Sequence, residues 1–210
     1  MTQLGLLLSA IFAAALTPVT SRAVSRPQAR FRWLSIPGSA VLFVVLAVSA
    51  ERVLTLRAPF VVGLAGVSAV LATQVVIDLC VRRLPRELSY GGLIVFVACA
   101  LATEPMDAAG PSGLLLGLIA MSAIAALLVV VSRGALGLGD LHLAPLLGAL
   151  IGWFAPSAVL WAWMITAVTG ALVTTAGLAT KRLSRGSMIP YGPFMVLGAV
   201  AAVVVIAVRA

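Results

Sequence analysis

Two carboxylates occupy unusual positions in this chain. The stretch GALGLGDLHLAP (residues 134–145) places Asp140 between two strongly apolar segments, and Asp78 ends the apolar run VGLAGVSAVLATQVVID. A carboxylate beside hydrocarbon is costly and is therefore a candidate functional group. Two carboxylates held a few ångströms apart share a proton, so the pair can activate a water molecule and protonate a leaving amine. One interpretation of the sequence is therefore an acid–base dyad of Asp78 and Asp140.

Structural roles explain the same two residues from their spacing alone. Asp78 could pair with Arg82 one helical turn later, and Asp140 could be the N-cap of its helix. Glu87, in the polar stretch RRLPRELS, is adequately explained as a solvated loop charge. Position along the chain leaves both kinds of role open for the two aspartates.

The composition predicts an all-α, polytopic membrane protein. Hydrophobic residues make up 62% of the 210 residues, charged residues only 10%, and the mean hydropathy is +1.19. These values lie far from those of a soluble domain, and the apolar runs approach the roughly 20 residues that cross a bilayer as helix. Eight spans are predicted, at 2–18, 38–54, 59–80, 90–104, 112–132, 141–154, 156–179 and 190–208.

The basic residues predict the orientation in the cytoplasmic membrane. With the amino terminus outside, eleven of the fourteen lie in cytosolic loops, and both termini are then outside. The net charge of +8 therefore reflects topology rather than a nucleic-acid partner. We expect the first span to be a retained anchor, because no Lys or Arg precedes it and four arginines follow it, at Arg22, Arg26, Arg30 and Arg32.

Small residues suggest how the spans pack. GLLLG (residues 113–117) and GALIG (residues 148–152) have the small-xxx-small spacing that lets two helices approach closely. Cys80 and Cys99 form no CxxC pair, so we expect packing residues rather than a disulfide or a zinc site. An aromatic belt is expected at the outer ends of the spans, from Trp153, Trp161 and Trp163.

Three motifs together resemble the type IV prepilin and preflagellin peptidases, which are GxGD membrane aspartic proteases. DLCVRRLP (residues 78–85) is similar to the family's first catalytic segment, and GLGDLHL (residues 137–143) to its GxGD motif. MIPYGPFMVLGA (residues 188–199) is similar to the IPxGPF signature that opens the last helix. The motifs stand in the family's order, and the resemblance covers residues 59–208 well.

The resemblance implies that Asp78 and Asp140 are the catalytic aspartates. Gly137 and Gly139 would let the chain bend and let substrate backbone approach Asp140. Many family members have a Lys where this chain has His142, and a His supplies that positive charge only when it is protonated. His142 is equally well explained as a polar residue at the start of a helix.

The IPxGPF signature supplies three further candidate positions. Pro190 and Pro193 suit the first turn of a helix, where a missing N–H costs little. Gly192 between them would either bring that turn close to the aspartates or simply start the helix. With the aspartates, Gly137, Gly139 and His142, these residues form the predicted site.

The resemblance also predicts the domain organisation. Residues 1–58 would hold two vestigial amino-terminal spans, and residues 59–210 a six-helix peptidase core. Bifunctional relatives carry a cytosolic methyltransferase domain with paired CxxC motifs between the first two spans, whereas this loop (residues 20–38) is short and lacks Cys. We therefore expect the short form, a peptidase without methyltransferase activity.

The implied activity is removal of a short basic leader from prepilin-like precursors, without metal or other cofactor, by a protein embedded in the bilayer. Three alternatives are weighed against it. A presenilin-like protease would carry a PAL motif near the carboxyl end, and a proton-coupled transporter or channel would show inverted repeats. An inactive scaffold is suggested only by His142. The sequence specifies neither the particular substrate nor the oligomeric state.

Overall fold

The computed structural model describes residues 2–19, 34–53, 57–103, 109–132, 137–184 and 189–209. These residues form eight helices and contain no strand. The helices are α1 (Thr2–Ala15), α2 (Ser35–Val53), α3 (Ala58–Val81), α4 (Arg86–Leu101), α5 (Gly110–Val131), α6 (Leu138–Phe154), α7 (Ala158–Ala179) and α8 (Gly192–Arg209). Several residues used above lie outside the described ranges, namely Arg22, Arg26, Arg30, Arg32, Gly134 and Met188.

The predicted all-α membrane bundle is confirmed. Each predicted span overlaps one helix, and four helices are long and apolar enough to cross a bilayer: α3, α5, α7 and α8. A proline lies in the first turn of three of them, where its missing N–H costs nothing, at Pro59, Pro111 and Pro193. The predicted boundaries differ most at α4, which begins four residues before the expected position 90 and ends three residues before position 104.

Helix α3 forms the centre of the bundle. Its most apolar window is 89% buried, whereas that of α5 is only 22% buried. A helix that is apolar all round is suited to such a position. Helices α1, α2, α4 and α8 all pack against α3, so the central helix positions Asp78, near its carboxyl end, among several neighbours.

Glycines bring α5 and α6 into close contact. A Cβ atom added at Gly117 would meet the backbone of Gly148 and Gly152, and one added at Gly113 would meet the backbone of Gly152. The two small-xxx-small stretches therefore pack against each other, which is the kind of close approach that their spacing permits. This contact fixes α6, the helix that carries Asp140, against the peripheral helix α5.

The expected aromatic belt is found at only one of its three positions. Trp153 is 2% exposed and its ring stacks on Phe60 with centroids 5.6 Å apart. Trp163 is also buried, whereas Trp161 is 44% exposed and lies beneath the Arg209 guanidinium, 5.5 Å away. The belt prediction is wrong for Trp153 and Trp163 because their side chains face the inside of the bundle.

The two cysteines are free thiols, and both are partly buried. Cys99 lies opposite Gly63, where an added Cβ atom would come within 2.8 Å of the Cys99 Cβ. This position on the α3–α4 interface agrees with the packing role that was predicted for Cys99.

The glycine contact between α5 and α6 generates a stability prediction. Gly117→Val should lower the free energy of unfolding by about 1–3 kcal/mol or more, because the new side chain meets backbone that cannot move aside. Thermal unfolding of the detergent-solubilised protein measures the effect. Gly91→Ala is the matched control, since an added Cβ there meets no atom within 4 Å. Equal melting temperatures for the two variants would contradict the packing described here.

Candidate active site

Asp78 lies in the last turn of α3. The helix ends at Arg82, whose left-handed backbone (φ 54°) directs its N–H to the carbonyl oxygen of Asp78 at 2.8 Å. The following turn leads through Leu84 and Pro85 into α4. The Asp78 side chain points inward and is only 5% exposed.

Asp140 lies in the first turn of α6, where its side chain accepts a hydrogen bond from the N-cap residue. Gly137 is the N-cap, and its N–H donates to Oδ2 of Asp140 at 3.2 Å. The backbone N–H of Asp140 in turn donates to the Gly137 carbonyl at 3.1 Å. The expectation that Asp140 would itself be the N-cap is therefore wrong, because the helix begins earlier than predicted and places Asp140 at its third position.

The amino terminus of α8 meets the carboxyl end of α3. The N–H of Gly192 donates to Oδ2 of Asp78 at 3.1 Å in a buried hydrogen bond between residues 114 positions apart. Gly192 is thus close to the aspartates in addition to starting its helix. Pro193 occupies the first turn as predicted, but the prediction is wrong for Pro190, which precedes the helix in extended chain.

The two carboxyl groups are close enough for the charge of Asp78 to act directly on Asp140. Asp140 is 6% exposed, so both groups are largely removed from water. No salt bridge joins Asp78 to Arg82 in the described part of the chain. The structure therefore brings the predicted pair together, and the charge of Arg82 also acts on Asp78 although the two side chains form no salt bridge.

Leu84, in the turn after Asp78, packs against both the GxGD stretch and the start of α8. A Cβ atom added at Gly139 would lie 2.9 Å from the Leu84 Cβ, and one added at Gly192 would lie 3.1 Å from its Cδ1. The same added atom at Gly192 would lie 2.9 Å from Oδ2 of Asp78. Glycine at both positions therefore makes room for Leu84 and for the Asp78 carboxylate. Gly137 has an ordinary backbone (φ −68°), so the bend expected there needs no glycine.

Gln74 holds the turn that carries Leu84, and the sequence analysis missed it. Its side-chain amide donates to the Ser89 hydroxyl at 2.8 Å and to the Pro85 carbonyl at 3.5 Å. Gln74 is fully buried, one helical turn before Asp78. An amide inside an otherwise apolar run was the available signal, because a buried polar group needs partners.

Tyr191 adds a hydroxyl beside the pair. Its ring packs against Phe194 with centroids 6.2 Å apart, at the point where the chain enters α8. Burial, and to a lesser extent the charge of Asp140, raise the pKa of the Tyr191 hydroxyl. The hydroxyl therefore stays protonated at neutral pH and is available as a hydrogen-bond donor close to Asp140.

His142 faces away from the carboxylates, towards a polar cavity. Its Nδ1 is 2.8 Å from the Tyr90 hydroxyl, which links α6 to α4. The cavity has a volume of about 460 Å³, and Arg83, Arg86 and Glu87 also line it. His142 therefore lies beside the candidate site but makes no described hydrogen bond to either aspartate.

The arrangement provides two buried carboxylates, each of which accepts one backbone N–H. In the described residues, no three His, Cys, Asp or Glu side chains are grouped so that they could hold a metal ion. A carboxylate pair in this setting can take a proton from water and return one to a leaving group.

Comparison with known proteins agrees with this geometry. The model of the type IV leader peptidase family matches residues 65–208, which contain both aspartates and Gly192. The chain belongs to the type IV leader peptidase family. Searches of curated proteins and of solved structures return no match. Family membership, together with the helical bundle, makes the protein a membrane peptidase.

The contact between Gly192 and Asp78 generates a prediction for this peptidase. Gly192→Ala should lower kcat by about tenfold or more with little change in KM, because the new methyl group displaces the Asp78 carboxylate. The kinetics of peptide-bond cleavage and the melting temperature should be measured together. Gly38→Ala is the matched control, since its Cβ would meet Ala72 at an ordinary 3.5 Å. Undiminished kcat in Gly192→Ala would show that the position of this carboxylate is not critical.

Proposed function

We propose that the protein is an aspartic endopeptidase in which Asp78 and Asp140 are the catalytic residues. The observation that carries the proposal is the buried pair itself. Its two carboxyl groups come from helices that are far apart in the sequence, and they interact electrostatically. Simple structural roles would not require the two groups to meet. The family match to residues 65–208 supports the peptide bond as the target.

The chemistry needs only the groups of the pair and a water molecule. One carboxylate removes a proton as the water oxygen attacks the scissile carbonyl carbon, and the other carboxyl group protonates the leaving amine as the C–N bond breaks. Because the two groups share protons, the roles of base and acid belong to the pair. The N–H groups of Gly137 and Gly192 fix the orientation of the carboxylates and stabilise their ionised forms.

The proposed substrates are prepilin-like precursors with a short basic leader and an apolar helix. The aspartates lie at the ends of apolar helices, which suits a bond at the junction between a polar leader and a membrane-spanning segment. The distribution of arginines in the sequence supports cleavage at the cytosolic face of the cytoplasmic membrane, with both termini outside. The loop of residues 20–38 supports peptidase activity without methylation of the product.

Asparagine substitutions test the carboxylate pair. Asp78→Asn and Asp140→Asn should each reduce cleavage of a co-expressed precursor by about a thousandfold or more, because neither variant retains a pair that can exchange protons. Amino-terminal sequencing locates the cut, and mass spectrometry should find the new amino terminus unmethylated. Glu51→Gln is the matched control, an exposed carboxylate changed in the same way on α2.

The outcomes separate the proposal from its alternatives. Cleavage by the Glu51→Gln variant, together with intact precursor in both asparagine variants, would support the aspartic mechanism. Cleavage that survives in either asparagine variant would refute it. A well-folded wild type that leaves every precursor intact would favour an inactive scaffold or a proton-transporting role for the pair.

A further inference from the structure

A groove beside the candidate active site is not used by the catalytic chemistry. Helices α1 and α4 both pack against α3 and leave a cavity of about 260 Å³ between them. Phe12 and Leu16 line one wall, Gly66 and Val70 of α3 form the floor, and Gly91 belongs to the opposite wall. The lining is apolar except at one residue, Glu87.

Glu87 connects this groove to the polar cavity beside His142. Its side chain contributes to the lining of both cavities and is 73% exposed. Ile77 and Val81, which lie on either side of Asp78 in the chain, also line the polar cavity. Glu87 therefore borders both the apolar groove and the polar cavity, and the polar cavity borders the turn that follows Asp78.

We propose that the groove receives the apolar helix of the leader-bearing precursor, and that Glu87 receives a basic residue of its leader. This inference rests on the proposed function. A precursor of that kind carries a basic leader next to its apolar helix, and the apolar groove likewise ends at a carboxylate, Glu87, close to the turn that follows Asp78. Small residues on the floor and wall let a helix approach the backbone closely.

The charges around Glu87 are consistent with this role. Arg86 pairs with Glu87 at 3.2 Å, but both side chains are exposed, so the pair is weak and easily exchanged for a leader cation. Arg83 and His142 also face the polar cavity and would repel a basic leader. Among the described residues that line the two cavities, Glu87 alone supplies a negative charge.

This inference assigns a function to the amino-terminal helix α1. Phe12, Ala15 and Leu16 of α1 line the groove, yet they precede residue 65, where the family match begins. The groove is thus built partly by the region that matches the peptidase family and partly by a helix outside that region. Helix α1 would then contribute to substrate selection.

Gly91→Trp tests occupation of the groove. A Cβ atom at Gly91 meets nothing within 4 Å, so the indole can enter the groove without disturbing the core. Cleavage of a co-expressed precursor with a lysine-rich leader and an apolar helix of about 20 residues should fall about tenfold or more in kcat/KM. Val130→Trp is the matched control, because Val130 is 74% exposed on α5 and does not line the groove.

Glu87→Gln tests recognition of the leader. Its kcat/KM should fall about threefold to tenfold for the lysine-rich leader and stay unchanged for a leader in which glutamine replaces lysine. Glu87→Lys should regain part of the loss when the leader lysines are replaced by glutamate. A purely structural role for Glu87 would reduce cleavage of all these leaders equally.

Cross-linking identifies the occupant directly. A photoreactive benzoylphenylalanine at Gly91, in a chain that also carries Asp140→Asn, should capture the uncleaved precursor, whereas the same probe at Val130 should not. Capture of lipid alone, or cleavage by Gly91→Trp at the wild-type rate, would overturn the inference while leaving the peptidase proposal intact. Failure of the wild type to cleave any precursor would instead overturn the proposed function on which the inference rests.

Discussion

The constraint on which the structure depends is the burial of two carboxyl groups within an apolar bundle. Asp78 and Asp140 have only about one-twentieth of their surface exposed, and charges removed from water need compensating partners. Each receives one backbone N–H, from Gly192 and from Gly137 respectively. Because these donors lie at the starts of α8 and α6, the positive ends of two helix dipoles also face the pair. The positions of three helices are therefore set by the same small region.

Glycine serves a different purpose in each part of this arrangement. Between α5 and α6, Gly117 and Gly148 permit backbone contact that no side chain would allow. At Gly139 and Gly192, the space is occupied instead by Leu84, whose side chain packs against the stretch that carries Asp140 and against the start of α8. Leu84 is held by a turn that Gln74 fixes from inside α3. The packing between the helices thus extends without interruption from the lipid-facing side of the bundle to the carboxylates.

Charge divides the end of the bundle around the aspartates into two environments. The pair itself is shielded from solvent, whereas the adjacent polar cavity is open and lined by Arg83, Arg86, Glu87 and His142. Exposed charges interact weakly and exchange partners easily, so this cavity suits recognition better than catalysis. The separation is physically reasonable for a peptidase, because proton transfer needs fixed geometry while recognition of a flexible leader does not.

The sequence by itself determined the membrane bundle, the eight helical segments and the family. Long apolar runs cannot satisfy their backbone in lipid except as helix, and three motifs in order indicated the peptidase. It also named Asp78, Asp140 and Gly192, and it identified the two small-xxx-small stretches that prove to be in contact between α5 and α6. These features follow from composition and local spacing, which a single chain displays directly.

Only the tertiary structure decided how these parts act together. It showed that the N–H of Gly192 donates to Asp78, that Gly137 rather than Asp140 is the N-cap of α6, and that the Trp153 side chain lies inside the bundle. It also revealed the packing role of Leu84, the hydrogen bonds of Gln74 and the groove beside α1, none of which the motifs indicate. Such features depend on contacts between residues far apart in the chain, and apolar helices of similar composition carry little information about which of their faces will meet.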